Sequence, residues 1–369
     1  MASPNIILIT ANAWPWNALG VTGELPLATP NLDSLANHGI VLDQTICPCP
    51  TEYVSLVSLL WGQTPIEHRC WTETDPLPDP KRALPALLRA RHYVTLAAGD
   101  FPASLNPLQD HFDAFVHAGN RNASAEDRDS VAWAGDQAVR HIQPMNEPFF
   151  MWIHFRVAQA PHLVPAPWNT LCDAKAAALD GAAERKQTLL ARYGSMSQID
   201  HQIGRVLASL TARGMTNNLI VFSAAAGSAL ESLDPGEGLE AAHDAVIRVP
   251  LIIAGLRGQQ RNVRDAALAQ TSDIPATLLE ICQGEDRLGR SLLAPLMGKG
   301  GIARTVAVSS IDTQTHLARS ARYKLVESAS PARKAFYDLQ SDPNEQINLY
   351  HTAKGGTIQS ALARYLPVG

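Results

Sequence analysis

Asn5-Ile-Ile-Leu-Ile-Thr10 is a short apolar run in which no polar residue alternates with the hydrophobic ones. A strand with one wet face alternates; an unbroken run of this length belongs to a strand buried on both faces, as in a sheet covered by helices. The runs at 93–98, 148–155, 218–223 and 248–254 have the same character. Helical patterns with legible ends lie between them. Thr29-Pro30-Asn31 supplies an N-cap and a first-turn proline, and Gly39 closes that helix. Met196, Ile199, Ile203, Val206, Leu207 and Leu210 fall on one helical face that stops at Gly214. A third helix follows Thr271-Ser272-Asp273 and carries Leu278, Leu279 and Ile281. Strands alternating with helices predict an α/β fold with helices on both faces of the sheet.

The pattern changes after Gly301. Short strand-like runs at 305–310, 322–327 and 335–339 lead into a last helix near 357–365. They predict a small α+β subdomain with an antiparallel sheet, giving an α/β domain over 1–295 and a C-terminal subdomain over 303–369.

Composition narrows the function classes. Of 369 residues, 46% are apolar and 18% charged, which excludes disorder, collagen and coiled coil. Thirty basic against thirty-five acidic residues give a net charge of −5, with the basic residues scattered, so a nucleic-acid partner is not expected. No apolar run approaches the roughly 18 residues of a membrane span; the longest, Val249-Pro-Leu-Ile-Ile-Ala-Gly-Leu256, reads as a buried strand. No charged segment or cleavage site precedes Asn5, and a cytoplasmic location is the expectation. The five cysteines (Cys47, Cys49, Cys70, Cys172 and Cys282) are an odd number and read as free thiols. Cys47 and Cys49 are followed by no second pair at zinc-ligand spacing, so no metal or other cofactor is expected from them. The sequon at Asn122 carries no weight without secretion.

Further segments carry a family likeness. They are Ala28-Thr-Pro-Asn-Leu-Asp-Ser-Leu-Ala-Asn-His-Gly39, Ser58-Leu-Leu-Trp-Gly62, Pro148-Phe-Phe150, Ala160-Pro-His162 and Ile199-Asp-His-Gln-Ile-Gly204. Ile247-Arg-Val-Pro-Leu-Ile252, Gly289-Arg-Ser-Leu-Leu293 and Phe336-Tyr-Asp-Leu-Gln-Ser-Asp-Pro-Asn-Glu-Gln-Ile-Asn-Leu349 continue the series. In this order, with Pro4–Thr10 at the front, the chain resembles the sulfatase family of the alkaline phosphatase superfamily over nearly its whole length. The resemblance implies a mixed sheet sandwiched by helices.

It also implies a catalytic centre, and there the residues depart. A sulfatase cleaves a sulfate ester with a metal-bound formylglycine made from a Cys or Ser in C-x-P-x-R. At the family's spacing from Gly62, those positions hold Glu52, Val54 and Leu56; Cys47 and Cys49 lie too far upstream. Thr51 serves only if the register slips by one. The paired aspartates after the first strand fall on Asn12 and Ala13, and the Asp-His or Asp-Asn pair after the strand Leu219–Phe222 falls on Ala225 and Ala226. A calcium shell needs several oxygen donors, so no metal is expected. The sulfate-steadying lysine and its histidine fall on Asp100 and Pro102, and no lysine lies between Gly227 and Arg248. His162 alone matches.

On family geometry Glu52, Asp100 and His162 converge where sulfate sits. They either form a general acid/base set or fill the vacated cavity with an ion pair, the latter being preferred. Asp100 in place of a lysine inverts the polarity and favours a neutral or cationic ligand. Trp14, Trp16, Trp61 and Trp71 flank the region and either stack on a ligand or plug the cavity, plugging being preferred. His154, at the C-terminal edge of its strand, reads as a satisfied core histidine, and His243–Asp244 as a local surface pair. The expectation is a catalytically inactive sulfatase-like subunit of a homo-oligomer or of a complex with a protein partner, away from membranes. The alternative is a metal-independent enzyme using Glu52, Asp100 and His162. A hydrolase working through Thr51 would need a bound metal.

Overall fold

A computed structural model describes residues 3–22, 27–120, 129–157, 164–170, 183–227, 239–282, 288–299, 304–329, 332–352 and 356–367. His162, Cys172 and Asn122 lie outside the described residues.

β1 (Asn5–Ala13) is the centre of the main sheet, buried along its length up to Asn12. It pairs in parallel with β5 (Phe149–Phe155) on one side and β6 (Asn218–Ala226) on the other. β3 (Val94–Gly99) and β4 (Ala114–His117) extend the sheet beyond β5. On the other side follow β8 (Leu251–Ala254), β2 (Gly39–Ile46) and β7 (Arg248–Val249), with β9 (Val263–Gln270) also alongside β2. β8 runs antiparallel to β6 and β2, while β9 runs parallel to β2, so the sheet is mixed.

Alternate residues of β1 feed two cores. Ile7, Ile9 and Ala11 pack under α1 (Pro30–His38), α3 (Ser130–Ile142) and α4 (Ala183–Ala212). Ile6 and Leu8 pack under α2 (Glu52–Trp61) and α5 (Ile274–Ile281). This two-sided covering explains the unbroken apolar runs read in the sequence. Four strands escaped that reading. β2 follows α1 without a turn segment, β4 has four residues, and β9 carries Arg264 and Asp265 on its half-buried part. The fourth, β11 (Thr315–Arg319), belongs to the C-terminal sheet, which is antiparallel in the order β10 (Ala307–Ser310), β11, β12 (Tyr323–Ala329), β13 (Ala332–Asp338). α6 (Gly356–Ala363) packs on it through Leu362.

Asp244 is not a surface residue. It is buried with Arg319, whose Nη2 donates to Asp244 Oδ2 at 2.8 Å, and with Lys324, whose Nζ is 2.6 Å from Oδ1. Lys324, fully buried, also donates to the carbonyl of Ala242 and lies 2.8 Å from Glu345 Oε1. Burial disfavours the Asp244 charge, yet the two cations outweigh it and hold the carboxyl far below the usual range. His243 packs edge-on against Tyr337. The pair expected at the surface is therefore part of the link between the two sheets.

Candidate functional site

The C-terminal ends of β1, β3, β5 and β6 come together with the N-terminus of α2, the edge where open α/β sheets place their ligands. Register fixes the neighbours: His154 lies beside Thr10 on one side and Gly99 on the other, and Ala13 lies beside Ala226. A Cβ on Gly99 would stand 2.3 Å from the His154 carbonyl oxygen, so only glycine lets β3 come this close.

His154 is fully buried and held on three sides. Phe101 stacks on it at 5.7 Å with 18° between the rings. Trp152 Nε1 donates to Thr10 Oγ1 at 2.9 Å, and the Thr10 hydroxyl lies 2.7 Å from His154 Nδ1. The Glu52 carboxylate on the far side of the ring can only accept, so Nδ1 is the bare nitrogen of the neutral ring and accepts from the Thr10 hydroxyl. In the neutral ring Nε2 then carries the hydrogen and donates to Glu52 Oε1 at 3.0 Å.

Glu52 is the first residue of α2, behind the extended N-cap Thr51, where a carboxylate meets the positive end of the helix. Arg156, two residues after His154 and so on the same face of the chain, closes on it as a fork: Nε to Oε1 at 3.1 Å and Nη2 to Oε2 at 2.8 Å. Burial pushes the Glu52 carboxyl up, but the hydrogen bonds and charges of His154 and Arg156 outweigh it and hold it below the usual range. Burial acts against the Arg156 charge, and the bonds and charge of Glu52, with smaller contributions from Asp100 and Glu73, raise its pKa.

The structure thus brings Glu52 together with His154 and Arg156, with Asp100 close enough to act on Arg156 by its charge. Asp100 itself makes a backbone bond, its N–H donating to the His154 carbonyl at 3.2 Å. Arg156 was missed in the sequence, although its period-two spacing from His154 was the available signal. Trp61 does not line this site. It ends α2, nine residues and roughly 13 Å of helix rise from Glu52, buried with Nε1 donating to the Asp79 carbonyl. Trp14 is fully buried with Nε1 bonded to the Ala18 carbonyl. Trp16 is half-buried beneath the Arg248 guanidinium at 3.5 Å, and Trp71 meets His316 edge-on at 6.2 Å. Thr51 is exposed, and its side chain makes no capping bond.

The donor set at the positions implied for a divalent ion does not fit one. Asn12 Oδ1 accepts from the backbone N–H of Ala13 at 2.8 Å and of Val157 at 2.9 Å, and Ala13, Ala225 and Ala226 bring no side-chain oxygen. Among the described residues no three His, Cys, Asp or Glu side chains are grouped to hold a metal. Nor does the buried Ser58–His68 contact make a nucleophile and base. The Cys70 N–H donates to His68 Nδ1 at 3.0 Å, so in the neutral ring Nε2 carries the hydrogen and donates to Ser58 Oγ at 2.9 Å. Burial lowers the His68 pKa to about 4. Among the described residues no helix is long and apolar enough to cross a membrane.

The chain is 25% identical over 271 residues to the N-acetylgalactosamine-6-sulfatase of Mus musculus, covering 64% of this chain and 52% of that one. It thus spans about half the length of that relative. It is 23% identical over 408 residues to an ulvan-active sulfatase of Formosa agariphila, covering 97% and 79%. Among solved structures it matches a protein in complex with its substrate D-glucosamine-2-N,6-O-disulfate, at a TM-score of 0.82 and 18% identity over 99% of this chain and 97% of that one. The phosphonate monoester hydrolase of Agrobacterium radiobacter matches at 0.82 and 19% identity, over 98% and 94%. The profile of the sulfatase family matches residues 4–284. With this match over most of its length, the chain belongs to the sulfatase family.

Proposed function

We propose that this sulfatase-family protein does not hydrolyse sulfate esters and acts as a binding or structural subunit of a homo-oligomer or of a complex with another protein. One observation carries the reading: Glu52, at the position the family gives its nucleophile, is tied at both oxygens by His154 and Arg156. A nucleophile needs a free lone pair aimed at substrate; this carboxylate has three charge-assisted or imidazole donors on it. Metal-assisted catalysis requires oxygen donors that the Asn12, Ala13, Ala225 and Ala226 set does not supply.

The acid/base alternative with Glu52, Asp100 and His162 is less well supported. A carboxyl held below its usual range is a poor general acid, and Arg156 would have to leave before Glu52 could serve as a base. Aryl sulfate, phosphate and phosphonate esters are expected to turn over no faster than in buffer. Turnover that disappears in Glu52→Ala would overturn the reading. Native mass spectrometry of the protein from its own source tests the assembly half. A mass resolving into copies of this chain or into a second polypeptide is expected, and a bare monomer is the contrary result.

A further inference from the structure

His154 and Arg156 face Glu52 from one strand end, and what they hold is a carboxylate in its most specific geometry. Arg156 presents two parallel N–H groups to the two oxygens, at 3.1 and 2.8 Å, and His154 Nε2 adds a third donor at 3.0 Å. His154 does not depend on Glu52 for its position. Thr10, Trp152 and the Phe101 ring hold it from behind. The site is also reachable, because the Arg156 side chain is 40% exposed and that of Glu52 19%, whereas His154 is at 0%. The positive end of α2 favours an anion at the same point.

We propose that His154 and Arg156 form a carboxylate-binding clamp whose present occupant is the chain's own Glu52, and that a small free carboxylate takes the place when that side chain is withdrawn. The inference rests on the reading of Glu52 as a filler of the family's pocket and names the ligand class that the filler keeps out. The guanidinium fork pairs with carboxylates and tetrahedral oxyanions alike; it is the place itself, filled by the planar head group of Glu52, that favours a carboxylate. Among the described residues Asp100 and Glu73 also act on Arg156 by charge, and Ser104 Oγ already donates to Glu73 Oε2 at 3.3 Å.

The test is thermal unfolding of the full chain at pH 7 in sodium acetate, sodium sulfate and sodium chloride of equal ionic strength. In Glu52→Ala the midpoint should rise with acetate to saturation, beyond its value in chloride, and more than with sulfate. The wild type should show no acetate-specific rise. Adding Arg156→Gln to Glu52→Ala should weaken the apparent acetate affinity about tenfold or more, the worth of one charge-assisted hydrogen bond. No acetate-specific rise, an equal rise in the wild type, an unaltered response without Arg156, or a stronger response to sulfate would each overturn the clamp. If Glu52→Ala does not fold in chloride, Glu52→Ser is refolded in acetate and in chloride. Recovery in acetate alone supports the clamp, and equal recovery or none refutes it. Ester turnover by the wild type would sink the filler reading separately, since the acetate series reads binding and not hydrolysis.

Discussion

Asp244→Asn removes one negative charge from a buried group of four. Asp244 takes Arg319 Nε at 3.1 Å, Arg319 Nη2 at 2.8 Å and Lys324 Nζ at 2.6 Å. Lys324 is fully buried and Arg319 nearly so, leaving Glu345 as the one remaining carboxylate beside them among the described residues. Breaking a buried pair by removing one partner costs about 3–5 kcal/mol, because the stranded cation stays desolvated. That is a large part of the roughly 5–15 kcal/mol that holds an ordinary domain together. Arg319 and Lys324 belong to β11 and β12, whereas Asp244 precedes β7 of the main sheet, so the loss falls on the junction. Urea unfolding followed by tryptophan fluorescence and by far-ultraviolet circular dichroism should show it, with the C-terminal sheet released first. The pH dependence gives a second reading. The Asp244 carboxyl lies below its unfolded value of about 3.9, so its contribution is fully present above that pH and drains as pH falls further. Asp244→Asn should flatten this acid limb. A loss under about 1 kcal/mol, or an unchanged acid limb, would show that the charges are hydrated and that the cluster does not hold the junction.

Three other outcomes are expected. Gly99→Ala places a Cβ against the His154 carbonyl at 2.3 Å and should force β3 from β5, costing a few kcal/mol in thermal or urea unfolding. Thr10→Val leaves Trp152 Nε1 and His154 Nδ1 without their shared hydroxyl and should cost about 1–3 kcal/mol, with a shift in tryptophan emission. Chelation with EDTA should leave the unfolding midpoint unchanged, and a fall would mean that residues around Asn12 hold an ion after all.

The sheet was legible because its central strands are buried on both faces, and such strands write themselves as continuous apolar runs: Ile6 to Ile9, Phe149 to Ile153 and Leu219 to Phe222. Edge and peripheral strands obey no such pressure. β9 alternates half-buried and exposed residues through Arg264 and Asp265 before its buried end, and β11 spends His316 and Arg319 on specific polar partners. The position of Glu52 followed from family spacing, but its partners did not. His154 and Arg156 are separated from it by about a hundred residues, and only the β1–β5 register brings them onto the start of α2. The same limit explains Asp244, which reads in the sequence as a local surface pair with His243. Its real partners lie 75 and 80 residues away, on β11 and β12.

Charge placement accounts for why this pocket can keep its framework without the donors expected of it. A strand-end cleft beneath a helix N-terminus attracts negative charge whether or not a ligand arrives. Left with alanines at 13, 225 and 226, it would also hold no cation to balance an anion. Glu52 supplies the negative group covalently, and Arg156 the positive one, two residues beyond a histidine that the fold already fixes. Asp100 and Glu73 then act on Arg156 from the outside, so the guanidinium has carboxylates around it and no reason to swing away. Neutralising Glu52 alone leaves that cation at a mouth that is part open to water. Neutralising Arg156 alone leaves the largely buried Glu52 carboxylate with only an imidazole donor, which is the costlier change because burial then acts on a charge that has lost its cation. Arg156→Gln should therefore raise the Glu52 pKa and move acid unfolding to higher pH, whereas Glu52→Gln removes the titrating carboxyl and should flatten the acid limb.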